Sequence, residues 1–532
     1  MSLSRAFRVL ILGGALCAWA SAQPAAAQQP PALPPGPLTL EQVLALAEAR
    51  SESVAIAQAG IRRAEGEQSR ARSGRYPQLS ATASYDRSLA NEFEGVFDDV
   101  SFGAGGEGEG GEADEGGGFE DLPFGRANTW RLGLTVSQNL YSGGRLGAQD
   151  EIAAAARESA NLALTTSRGQ LMYEVTQAYY DAALSDRLVA IAEASLEQAG
   201  ATLRQTQVSF DAGTQPEFEV LRARVARDTQ MPLVIRQRVN REVAMLRLRQ
   251  LLDLPPDYDL RLDAALEDDT LAPPPAFAPR VAALEQEMRS VDPAVFPSVL
   301  QGDAALPPRA AVNEAAAVVR LREASLSLVE AQRKPGVTLN STYTRIAYPS
   351  GFFPTFDRSN WSVGASLNVP ILTGGRQRAD EAVARAEVEQ AELQLRQVQE
   401  FASLDTRSAW AELFAARASW EATAGTVQQA VRAHEIADVR YRAGVSTQLE
   451  LSDARLLLQQ AEANRAQAAR DLQVARARVA LLPDLPVSAG SGAPRAPLPT
   501  PQIPVAPAQP APGGGQLRTA SAQGAASQAG TQ

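Results

Sequence analysis

The chain has 532 residues, a net charge of −11, a single histidine and a single cysteine. Those counts leave a metal cluster or a Cys–His pair without ligands, and the lack of a basic face argues against a nucleic-acid partner. The glycine runs near Gly105 and Gly116 are followed by acids, not by the Lys-Ser or Lys-Thr of a phosphate loop, so an enzyme is the least supported class and no catalytic, cofactor or metal residue is assigned.

In chain order, residues 1–22 read as a secretory signal: Arg5 and Arg8, an apolar run from Val9 to Ala20, and small residues up to a cut after Ala22. Cys17 lies inside it, and Leu16 stands where a lipoprotein signal needs a small residue, which argues against lipidation. A Pro/Ala-rich linker covers 23–37. No later apolar run approaches the roughly 20 residues of a spanning helix, so any membrane crossing must use β-strands.

A helix is expected from Leu38, followed by a β-hairpin over 76–143 whose strands are "YPQLSATASYDRS" and "TWRLGLTVSQNLYSG". In the second strand Trp130, Leu132, Leu134 and Val136 fall on one face and Arg131, Thr135 and Ser137 on the other, the pattern of a transmembrane barrel wall. The connecting residues 91–126 hold eleven acids and one base, Arg126, without the ligand order of a calcium loop, and read as a solvated loop.

From Gly143 to Phe210 there is no proline, and small or apolar residues from Leu171 through Ala199 to Thr206 recur in steps of four and three. That 3.5-residue period is a coiled-coil seam. A turn at Gly213 and a return helix complete the first unit at residue 253, with Pro232 predicting a kink or break. A Pro-rich insert spans 254–308. The second unit, 309–485, repeats the order: helix, β-hairpin at 336–372, long helix, turn near Gly444, return helix. The tail 486–532, almost all Pro, Ala, Gly, Ser and Gln, reads as disordered.

The two units are copies. Phe210 falls on Tyr441, Gly213 on Gly444, Glu219 on Glu450 and Arg224 on Arg455 at a constant offset of 231, which also pairs Trp130 with Trp361 and Gly144 with Gly375. Before the first loop the offset becomes 258, pairing Pro77 with Pro335, so the first copy carries 27 extra residues there. Each copy supplies one hairpin; four strands cannot close a barrel, so several chains must contribute. His434 lies on the second seam and reads as packed.

The opening "LTLEQVLALAEARS", the strand exits "LYSGGR" and "ILTGGR", and the duplicated aromatic-x-x-Gly turn followed by Glu and an Ala-Arg pair resemble the TolC family of outer-membrane efflux proteins, over about Leu38–Pro486. The resemblance implies a mixed α and β membrane protein. Four strands from each chain of a homotrimer would form one twelve-stranded β-barrel in the outer membrane of a Gram-negative bacterium, continued by a long periplasmic α-helical coiled-coil barrel with the Pro-rich insert around its waist.

It also implies a passive exit duct of a tripartite efflux or type I secretion system, opened by a periplasmic adaptor (membrane fusion) protein and energised by an inner-membrane pump of RND or ABC type. Gly213, Thr214, Gly444, Val445 and Ser446 become adaptor-facing hairpin tips. Glu219, Tyr441, Glu450 and Asp453 become the periplasmic gate, with Tyr441 and Glu219 as a latch and the other two acids as rings in a narrow mouth. Ser446 departs from the pattern, since some members carry an arginine there that ties the inner hairpin shut. The same acids also suit a solvated helix start favoured by the dipole. The competing class is a structural or adhesive coiled-coil protein of the cell envelope without channel activity.

Overall fold

The computed structural model describes residues 36–89, 128–264, 266, 271–289, 309–349, 354, 356 and 358–487. The signal segment with Cys17, nearly all of the linker, the acidic loop 91–126, residues 290–308 of the insert and the tail from 488 lie outside the described residues.

Two short helices open the chain, α1 (Leu40–Arg50) and α2 (Glu52–Ser73). One continuous helix was expected here, but Ser51 adopts an extended conformation, ends α1 and caps α2 by accepting from the Val54 amide. The start of α1 is fixed by a capping box between Thr39 and Gln42. The four strands are β1 (Gln78–Arg87), β2 (Asn128–Tyr141), β3 (Gly336–Ala347) and β4 (Arg358–Asn368). They form one antiparallel sheet in the order β1-β2-β3-β4, so the two hairpins are joined through β2 and β3. β4 stops before Pro370, earlier than the sequence reading placed it, because proline has no amide to offer the ladder.

Register aligns the side chains by polarity across the sheet. Leu79 faces Val136, Leu134 faces Tyr343, and Tyr343 faces Trp361, placing these apolar groups on one face. The rings of Tyr85 and Trp130 meet at 4.7 Å. The opposite face carries Ser80, Thr82, Thr135, Asn340 and Ser362. Trp361, Val363 and Leu367 are exposed within one chain, as a lipid-facing wall requires.

Each hairpin then passes into a very long helix: α3 (Arg145–Asp211) and α7 (Arg376–Arg442), each of 67 residues and about 100 Å long. The Gly-Gly pair at each entry has positive φ throughout, 65° and 95° at Gly143 and Gly144, 59° and 87° at Gly374 and Gly375. The return helices are α4 (Glu217–Leu251) and α8 (Gln448–Leu481). α4 continues unbroken through Pro232. Pro232 and Asp228, whose carbonyl loses its helical partner, are both exposed, so water can satisfy that carbonyl and no break is forced. Between them lie α5 (Ala278–Arg289), from the insert, and α6 (Ala310–Ala331).

Lateral packing runs α4–α3–α8–α7 on the side of the glycine turns and α2–α3–α6–α7 nearer the sheet. The seam faces inward: Val175, Ala178, Ala182, Ala199 and Thr206 of α3 and Ala402, Ala409, Leu413 and Trp420 of α7 are buried. At mid-length, Leu254, Leu260, Leu271 and Phe277 of the insert cluster with α1 and with the second half of α8, which is buried almost all round. Leu38 makes a parallel bridge to Leu262, and the Tyr179 hydroxyl, 3.2 Å from the Leu38 carbonyl and 2.7 Å from that of Asp263, pins both segments to α3. Burial raises the Tyr179 and Tyr180 hydroxyls well above the ordinary tyrosine range.

Candidate functional site

Both hairpin tips are built alike. Gly213 and Gly444 take φ of 71°, and each turn closes by two reverse bonds, Gly213 to the Phe210 carbonyl and Thr214 to that of Ser209, matched by Gly444 to Tyr441 and Val445 to Arg440. This is a Schellman ending, which needs a left-handed residue after the last helical turn. The Thr214 hydroxyl adds a bond to the Ser209 carbonyl at 2.8 Å. Gly213, Thr214, Gly444 and Val445 are exposed at the turns, while the Ser446 hydroxyl is buried without a partner among the described residues.

The return helices begin with acids, as the helix dipole favours. Thr447 caps α8 by accepting from the Glu450 amide at 3.4 Å. The Glu450 carboxylate is half exposed and lies 3.9 Å from Arg440 on the preceding helix. Asp453 is exposed one turn further on, on the same face, while Leu451 and Ala454 point into the seam. Glu219 sits 3.6 Å from Arg222.

Tyr441 and Glu219, the latch suggested by family resemblance, are not bonded within the chain. The Tyr441 hydroxyl is 2.8 Å from Thr206 Oγ1 on α3, and both residues are buried. Glu219 instead meets Gln448. With the Gln448 amide turned so that its nitrogen faces oxygens, it donates to Glu219 Oε2 at 3.1 Å and to the Glu219 carbonyl at 3.2 Å, and it accepts from the Ala223 amide at 3.0 Å. Sequence reasoning missed Gln448 and Thr206. Thr206 was legible only as a seam position, and the counterpart of Gln448 in the first copy is Glu217, so the repeat gave no signal for an amide there.

Beside this junction a groove of about 500 Å³ lies over α8 between α3 and α7, lined by Thr202, His434, Asp438, Tyr441 and Arg455. Burial lowers the basicity of the Arg455 guanidinium. Asp438 pairs with Arg442 at 2.8 Å. Higher on the helices Arg470 of α8 joins the two coiled coils through Asp181 of α3 at 2.6 Å, while Arg478 of α8 pairs with Asp405 of α7 at 2.9 Å within the inner hairpin.

Among the described residues the geometry offers a sheet with one apolar face, helices far longer than a compact domain, and acids at the hairpin tips. Comparison with known proteins agrees. Among solved structures, the Campylobacter jejuni CmeC outer membrane channel shares the fold with a TM-score of 0.63 at 15% identity, over 84% of this chain and 86% of that one. The Vibrio cholerae outer membrane protein VceC gives 0.62 at 18% identity, over 83% and 95%. The outer membrane efflux protein BepC of Brucella suis biovar 1 (strain 1330) is 24% identical over 351 residues, 65% of this chain and 70% of BepC. The family model described as "Outer membrane efflux protein" matches residues 43–253 and 302–494, both copies of the repeat, and the chain belongs to that family.

Proposed function

We propose that three copies of this chain assemble into the passive outer-membrane exit duct of a tripartite export system. The observation that carries the proposal is the set of open lateral edges. β1 and β4 each have one unpaired side, α4 and α7 end the packing order near the tips, and α2 and α7 end it near the sheet. Open strand edges within a bilayer are untenable, and an edge that fits the opposite edge of the next copy generates a ring. α4 also leaves Phe218, Leu221, Val225, Ile235, Val239 and Leu246 exposed along one stripe, as a helix awaiting a neighbour would.

In this assembly twelve strands line the membrane pore, the helices continue it across the periplasm, and the described part of the insert lies at the waist of the tube. The polar strand faces, rich in Ser, Thr and Asn, line the lumen. At the far end Glu450 and Asp453 form two acidic rings that attract cations and narrow the closed mouth. A periplasmic adaptor docks on the tips at Gly213, Thr214, Gly444, Val445 and Ser446 and swings the inner hairpin outward, while an inner-membrane pump supplies the energy. A duct of this kind leaves the choice of substrate to the pump.

The test is single-channel conductance of the purified protein in a planar bilayer, with its oligomer mass measured in parallel. A trimer with discrete cation-selective openings is expected, and replacing Glu450 and Asp453 by Ala should weaken block by multivalent cations. A soluble dimer without conductance would overturn the reading.

A further inference from the structure

From the contacts at the tips we infer that Gln448 is the positioning residue that holds the mouth closed in each chain, by clamping Glu219. The inference rests on the duct reading and adds to it the identity of the clamp.

Gln448 is the first residue of α8, one position after the cap, where side chains at a hairpin tip are ordinarily wet, yet it is 1% exposed. Its counterpart Glu217 in the first copy is exposed. A primary amide is buried at a helix end only when its donors and acceptor are matched, and here all three bonds go to the first two turns of α4: the Glu219 carboxylate, the Glu219 carbonyl and the Ala223 amide. One side chain of the inner hairpin (α7–α8) therefore grips both the side chain and the backbone of the outer hairpin (α3–α4).

Near the tips a second tie between the hairpins is the bond of Tyr441 to Thr206. Swinging the inner hairpin away from the outer one breaks both ties. The charged neighbours do not substitute for them: Arg222 faces Glu219 from within α4 itself, and Arg440 faces Glu450 within the inner hairpin. Closure in this chain thus depends on an amide gripping a carboxylate across the two hairpins.

The decisive variant is Gln448→Glu, which keeps size and shape but sets a second carboxylate against Glu219. At neutral pH like charges at this distance repel, and once the pair takes up one proton as the pH is lowered it can donate again. Conductance of the full-length trimer in a planar bilayer should rise several-fold over wild type at neutral pH and fall back as the pH is lowered through the carboxylate range. The exchange Glu219→Gln with Gln448→Glu restores an amide facing a carboxylate, though not the bond to the residue-219 carbonyl, and should bring conductance part of the way back toward the wild-type level.

Trimer mass and heat-modifiable migration, followed in every variant, separate gating from assembly. Wild-type conductance in Gln448→Glu would overturn the clamp, as would an exchange variant that stays as open as Gln448→Glu, since packing and not charge would then be responsible. If wild-type protein forms the channel and the Glu450 and Asp453 replacements alter cation block, either result sinks the clamp alone and leaves the duct standing.

Discussion

The hydroxyl of Tyr441 lies 2.8 Å from Oγ1 of Thr206, joining the end of α7 to the end of α3 at a point closed to water. Thr206 Oγ1 also lies 2.8 Å from the Thr202 carbonyl, to which it donates. The threonine proton is thereby committed, so Tyr441 is the donor across the hairpins.

That direction makes the two deletions unequal. Tyr441→Phe leaves Thr206 satisfied by Thr202 and should lower the stability of the trimer by about 0.5–1.5 kcal/mol, the net worth of one bond. Thr206→Val strands a buried phenol and should cost about 1–3 kcal/mol. Thermal dissociation of purified trimer measures both; equal losses would mean that the tyrosine is not the donor.

Gly169, in the middle of α3, has no room for a side chain. A Cβ there would meet the backbone oxygen of Asp484 at 2.6 Å and its carbonyl carbon at 2.8 Å. Gly169→Ala gains about 1 kcal/mol of helix propensity but forces the segment after α8 off α3, an overpacking cost of about 1–3 kcal/mol. A lower dissociation temperature is expected. Gly200→Ala, where the nearest neighbour is the flexible end of Arg204 at 3.5 Å, should raise it.

Arg309, 2% exposed at the entry to α6, holds Asp405 at 2.7 Å and reaches the Leu485 carbonyl at 3.4 Å. Removing one partner of a buried pair leaves the other uncompensated, at about 3–5 kcal/mol. Arg309→Met should cost less than Asp405→Asn, because Asp405 keeps Arg478 at 2.9 Å while Arg309 has no second carboxylate among the described residues. A double-mutant cycle on trimer unfolding would give coupling well away from zero; additive losses would show that the pair does not act as a unit.

The Tyr179 and Tyr180 hydroxyls are raised by burial, with each remaining neutral in the folded chain where a free tyrosine would ionise. The unfolded chain releases these protons near pH 10 and the folded chain only at higher pH, so above about pH 10 unfolding is increasingly favoured. The contribution of these two groups should be constant below that point and be lost as the pH rises past it. Tyr179→Phe and Tyr180→Phe together should flatten the decline, as followed by circular dichroism.

Much of the architecture was legible because it is periodic. The offset of 231 carries Gly144 onto Gly375 and Gly213 onto Gly444, and it returns two helices of identical length with identical tip turns. Polarity alternation located all four strands to within a few residues, and the largest shift, at the end of β4, follows from Pro370. Pro232 misled in the other direction, since a proline exposed on an outer helix face loses one bond without ending the helix.

What the sequence determined by itself is the repeat, the elements and the family, because each follows from spacing along one chain. The tertiary structure alone decided which residues meet across the copies: Tyr441 with Thr206 and not Glu219, Gln448 with Glu219, Gly169 with Asp484. These contacts depend on the relative rotation and rise of helices about 100 Å long, where one residue of shift turns a side chain by about 100°. A repeat fixes what each copy contains but not the angle at which two copies pack, and the contacts at the hairpin tips are built from that angle.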